Sequence, residues 1–128
     1  MAEISECNTV TNIIGEYQCA GECVVTVDGK KELRSVSGET DSIEYFPSSD
    51  KIYQVEINGG NDFSETEIGS LVGNTLRTAT AQVSDNQFPV LEEYIFEADL
   101  SGQAKSFTKI VRNPSLRNFK SCNIQCKK

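Results

Sequence analysis

Four of the five cysteines fall in two C-x-x-x-C pairs far apart in the chain, Cys19 with Cys23 and Cys122 with Cys126. Thiols from two distant segments can close a fold in one of two ways. As disulfides they would tie a C-terminal segment back to an N-terminal hairpin, and a cross-link closing about 100 residues adds about 4–5 kcal/mol in chain-entropy terms. As four thiolates they could instead hold a tetrahedral structural zinc on Cys19, Cys23, Cys122 and Cys126. Zinc sites commonly use C-x-x-C, so the longer spacing favours disulfides, and it also argues against a thioredoxin-like redox centre. Cys19-Ala20-Gly21-Glu22-Cys23 reads as a three-residue turn between strands, and Cys122 and Cys126 share one face of a helix or a strand. Cys7 is left over.

Between the pairs the pattern is that of β-strand. Val and Ile number 20 against 6 Leu and 6 Ala, and β-branched residues suit a pleated surface better than a helix. Period-2 segments are read at 12–19, 23–28, 32–37, 41–46, 51–58, 62–68, 74–84, 90–99 and 104–112. Asp28-Gly29, Gly59-Gly60, Gly73-Asn74 and Ser101-Gly102 supply the tight turns between them. Short turns join antiparallel neighbours, and a meander this long removes its unpaired edges by closing. The expected fold is all-β: a single antiparallel up-and-down barrel of about eight to nine strands with little or no helix. It divides into a flexible segment at 1–11, the barrel at 12–112, and a basic, cysteine-containing tail at 113–128 packed on the barrel.

Alternation assigns the faces. Tyr53, Val55 and Ile57 share one face of their strand, as do Tyr94, Phe96 and Ala98, while Glu93, Glu97 and Asp99 take the other side. On 74–84, Arg77 shares a face with Ala79 and Ala81. Pointed inward, that face would line a cavity with small side chains and anchor a ligand on Arg77, with Tyr53, Tyr94, Phe96 and Phe107 as apolar lining. Filling of the space beside the alanines by Phe96 and Phe107 is the competing account. Glu65 with Glu67, and Glu92 with Glu93, read as solvated outer-face carboxylates rather than a catalytic pair.

Ile13-Ile14-Gly15-Glu16-Tyr17 resembles the G-x-W opening of the first strand in lipocalins and other calycins, with Tyr17 in place of Trp. In that family a basic residue of the last strand crosses the floor of the barrel over this ring, and Arg112 of Phe107-Thr108-Lys109-Ile110-Val111-Arg112 is the matching position. The resemblance covers roughly residues 12–112. It implies a calycin-like barrel with a binding cavity, closed by Tyr17 and Arg112.

Function is bounded chiefly by exclusion. With no histidine, Ser-His-Asp and Cys-His nucleophile pairs and histidine-ligated metals are unavailable. No glycine-rich phosphate loop occurs. The net charge of −7 is sharply divided: all 19 acids lie at or before Asp99, and all seven bases from Lys105 onward stand without an acid. A chain acidic overall is not expected to bind nucleic acid. No apolar run approaches the ~20 residues that span a bilayer. The opening residues lack a signal-peptide pattern, yet the cysteine count leans toward a secreted or periplasmic mature form over a cytoplasmic one. The expected function is binding of a small hydrophobic or anionic ligand, without cofactor or catalytic activity. The alternative is a cysteine-stapled structural or interaction domain, presenting Tyr45-Phe46-Pro47 and Asp85-Asn86-Gln87-Phe88-Pro89 to a partner.

Overall fold

β-Branched and aromatic residues at alternate positions build eight strands: β1 (Gly15–Val27), β2 (Lys30–Tyr45), β3 (Ile52–Gly60), β4 (Phe63–Val72), β5 (Thr75–Thr80), β6 (Leu91–Ala98), β7 (Ala104–Asn113) and β8 (Asn118–Lys127). The computed structural model describes residues 9–60, 63–80, 91–113 and 118–128. Each strand pairs antiparallel with the next, and β8 returns to pair with β1, so the sheet is a closed barrel. Among the described residues there is no helix. The all-β, antiparallel barrel expected from the sequence is what forms.

Three details differ from expectation. The segment at Cys19–Cys23 is not a turn: β1 runs straight through it and merges two expected strands. Likewise β2 is continuous through Ser37-Gly38, where two strands were expected. The 113–128 segment is not a tail laid on the surface. Its residues 118–127 are β8, inserted between β7 and β1, with Lys120 and Lys127 among its paired positions. Residues 81–90, including Ala81 and the expected loop 85–89, lie outside the described residues, as does Cys7.

β2 stays on the ladder through a bulge. Cys19 opposes Glu39 and Gly21 opposes Val36, so β2 carries an extra residue there, and Gly38 takes a φ of +72°. A bulge of this kind reverses which side chains face inward. Beyond it Glu39, Asp41 and Ile43 are all buried.

One end of the barrel is capped by residues 10–14. Val10 N–H donates to Asn74 Oδ1 at 2.9 Å, Thr11 N–H to the Gly102 carbonyl at 2.8 Å, and Asn12 bridges to Gln103. Val10 and Ile13 are buried beneath this cap. Under them Tyr17, Tyr94, Phe96 and Phe107 pack ring on ring, with centroids 4.8 Å apart for Tyr17–Phe107, 5.0 Å for Tyr94–Phe107 and 5.1 Å for Phe96–Phe107. Aromatic pairs at such separations add to the energy of simple burial. The capped half of the barrel is thus filled by side chains.

Candidate functional site: a charged network inside the barrel

The barrel interior carries charge where an apolar core is the usual solution. Seven polar residues turn inward from five strands and are buried: Glu39 and Asp41 on β2, Glu67 on β4, Thr78 on β5, Glu92 and Tyr94 on β6, and Lys109 on β7. Most keep the parity of apolar neighbours two residues away, as in Asp41-Ile43, Leu76-Thr78, Tyr94-Phe96 and Phe107-Lys109-Val111, which is why the pleat carries them inside.

Two hydrogen-bonded centres form the network. Lys109 Nζ donates to Glu39 Oε2 and to Asp41 Oδ2, both at 2.6 Å, reaching across the interior from β7 to the non-adjacent β2. The same ammonium lies 5.4 Å from the centroid of the Tyr94 ring, its direct partner across the β6–β7 ladder. At the second centre the Tyr94 hydroxyl lies 2.7 Å from Glu67 Oε1 and 3.0 Å from Glu92 Oε2, and Thr78 Oγ1 donates to Glu67 Oε1 at 2.6 Å. A phenol has one proton, so Tyr94 can donate to only one of the two carboxyls at a time. Two carboxyl oxygens, Asp41 Oδ1 and Glu67 Oε2, are buried without a hydrogen-bond partner.

Among the described residues four carboxyls share this space with a single ammonium, and the imbalance shows in their proton affinities. Burial pushes Asp41 up to about 8 despite the pull of Lys109, with Glu39 adding to the rise. Burial and then the neighbouring Glu67 hold the Glu92 carboxyl well above the usual carboxylate range. The Tyr94 hydroxyl is raised by burial and by Glu92, Glu67 and Asp41. Burial alone would lower Lys109, but Glu92, Asp41 and Glu39 outweigh it and hold the ammonium charged. Protons retained on Asp41 and Glu92 are how a crowded set of carboxyls coexists out of water.

A cleft of about 350 Å³ lies against the β5–β7 wall, lined chiefly by residues of its outward face, Arg77, Leu91, Glu93 and Ile110. Its lining passes from exposed Arg77 and Leu91 to the buried pair Thr78 and Glu92, which face each other directly across the β5–β6 ladder. A second depression of about 510 Å³ lies around Phe46, Gln54, Thr66 and Ile68 and reaches none of the seven buried polar residues.

The residues singled out from the sequence divide three ways. Tyr94, Phe96 and Phe107 are interior, as their alternation implied, but the rings are spent on one another; Tyr53 is interior too and stacks on Tyr45 at 5.0 Å. Arg77 is a correction. Leu76 and Thr78 take the inward face of β5, so Arg77 and Ala79 point outward; the Arg77 side chain is 74% exposed and its Nε donates to Glu93 at 3.1 Å. Glu67 and Glu92 are corrections in the other sense, read as solvated and found buried. Tyr17 is fully buried, donates to the Ile13 carbonyl at 2.9 Å, and has Lys128 Nζ 5.4 Å from its ring centroid. The backbone of Arg112 pairs with Leu91 and Ser121, toward the opposite end of the barrel from Tyr17.

The cysteines form two bridges across the β1–β8 seam, Cys19–Cys126 and Cys23–Cys122, each joining directly opposed residues. The two pairs are four residues apart along the strands, roughly 13 Å at the rise of a β-strand. That separation keeps all four sulfurs from reaching one zinc. Two disulfides fit an oxidising compartment, and no helix among the described residues is long and apolar enough to cross a membrane. No protein-family model, no curated protein and no solved structure matches the chain.

Proposed function

We propose that the protein is a calycin-like binding barrel that takes a small molecule by a cationic head group, an ammonium or guanidinium, at the Glu67–Glu92 end of the internal network. The carrying observation is the pair of buried carboxyl oxygens without partners, Asp41 Oδ1 and Glu67 Oε2, in an interior where the described residues set four carboxyls against one ammonium. An unpartnered buried acceptor costs about 1–3 kcal/mol, and a donor entering with a ligand recovers it. The cleft whose lining includes Thr78 and Glu92 is of ligand-pocket size and lies against the same wall of the barrel. An anionic ligand, the expectation built on an inward Arg77, has no anchor at that position, because Arg77 faces outward.

The test is calorimetric titration with a medium-chain alkylammonium and with the matching alkanoate. The ammonium is expected to bind and the alkanoate not, and Glu67→Gln should weaken ammonium binding about tenfold or more. The pH dependence has a definite sign. Cation uptake favours ionised carboxylates, so Asp41, held near 8, and Glu92, also raised, must give up protons on binding. Affinity should therefore climb as pH rises from about 6 to 9. Preference for the alkanoate, or affinity that falls over that range, would refute the cationic reading.

A second reading has its own observation. The start of β2, from Lys30 to Ser35, is wholly exposed, and Leu33 is 68% accessible. This is the surface that an interaction domain would present, and substitution there should leave ammonium binding untouched.

A further inference from the structure

We propose that reduction of the Cys19–Cys126 bridge converts the β1–β8 seam into a site for a thiophilic divalent cation such as zinc, with Cys19, Cys126 and Asp41 as its protein ligands. The two sulfurs and a carboxylate oxygen of Asp41 all lie within 4.8 Å of one another, and all three residues are buried. The register explains the meeting. Cys19 opposes Cys126 on one side and Glu39 on the other, while Tyr17 opposes Asp41, so Asp41 is the diagonal neighbour of Cys19 on the same inner face. Asp41 is fully enclosed, its Oδ2 engaged by Lys109, and its Oδ1 has no partner.

The bridge itself keeps these donors from acting as a site, because a disulfide sulfur is a poor ligand and a thiolate a strong, soft one. Two thiols of a small-molecule reductant deliver two electrons and two protons to the bridge. Its S–S bond breaks, Cys19 and Cys126 become thiols, and the reductant leaves as a disulfide. Zinc then displaces both thiol protons, together with the proton held on the Asp41 carboxyl, to solvent. Three negative charges, two thiolates and the Asp41 carboxylate, face the two of zinc and the one of Lys109. Three protein ligands leave a fourth tetrahedral position for water. Cys23 and Cys122, roughly 13 Å further along the strands, stand outside a shell whose zinc–sulfur bonds are about 2.3 Å. Asp41 is common to this site and to the ammonium reading, and Glu67, which belongs to that reading alone, separates the two.

The experiment uses the full chain with Cys7, Cys23 and Cys122 changed to Ser, leaving only the Cys19–Cys126 pair. Zinc uptake is measured by equilibrium dialysis before reduction, and again after thiol treatment and anaerobic desalting. One zinc per chain is expected after reduction and none before, and cobalt in its place should give a tetrahedral thiolate spectrum. Asp41→Asn should weaken uptake about tenfold or more while two thiols still titrate, and Glu67→Gln should leave it unchanged. If reduction unfolds this variant, one equivalent of zinc should restore the strand circular dichroism, and Asp41→Asn should raise the zinc required. Absence of both uptake and refolding after reduction, equal uptake by the oxidised chain, or full affinity in Asp41→Asn each overturns the proposal.

Discussion

Lys109 is 1% exposed and supplies the charge that Glu39 and Asp41 were buried against, so its removal differs in kind from removal of a surface cation. Breaking a buried pair from one side leaves an uncompensated charge, which costs about 3–5 kcal/mol. Lys109→Met should lower unfolding free energy by about that much in urea denaturation at pH 8. Arg77→Met, at a side chain 74% exposed and paired with Glu93, should cost less than about 1 kcal/mol. Equal losses in the two variants would mean that the network is solvated rather than enclosed. The sequence reading pointed Arg77 inward and passed over Lys109, and the reason is instructive. Arg77 was assigned inward for the sake of its small neighbours, whereas the flanking Leu76 already marked the opposite parity as the core face. Lys109 stands between Phe107 and Val111 at steps of two, a position that alternation sends inside. The same rule would have located Glu92, and Glu67 by its step to Gly69 and Leu71. Charge was taken to outrank parity, and in this barrel parity wins.

Strands and turns were the most legible level. The Asp28-Gly29, Gly73-Asn74 and Ser101-Gly102 turns fall where expected, and the inward faces of β3 and β6 follow their alternation. The bulge at Gly38 was not legible, since an extra residue on one strand is visible only against its partner's register. Glu39 and Asp41 go inside because of it. Two glycines in neighbouring contexts serve unlike purposes, and this is testable. Gly38 has a φ of +72° and open space around its missing side chain, so Gly38→Ala bears only a left-handed backbone penalty of about 1–2 kcal/mol. Gly69 lies where β4 passes close to β5; an added Cβ would stand 1.9 Å from the Arg77 carbonyl oxygen and 2.8 Å from the Thr78 Cα. Backbone cannot yield as a side chain can, so Gly69→Ala should cost more than Gly38→Ala. Chemical denaturation of the two variants side by side checks the order, and the reverse ranking would show that β4 and β5 can separate cheaply.

At the scale of the molecule the two bridges are nested, and nesting makes their contributions interdependent. The first to form closes a loop of about 100 residues, for about 4.7 kcal/mol; the second then closes only the small ring between the pairs, for about 2.7 kcal/mol. Replacing either cysteine pair alone with Ser should cost about 3 kcal/mol, and replacing both about 7 kcal/mol. Single losses that sum to the double loss would contradict the nested account. The placement of the pair has a mechanical side as well. A pull applied to the chain outside the bridges is handed from strand β1 to strand β8 through the Cys19–Cys126 sulfur bond, bypassing a sequence separation of 107. Tension on this protein would therefore stretch its terminal segments and leave the hydrogen-bonded rungs from β2 to β7 unloaded, so that only reduction makes the barrel extensible.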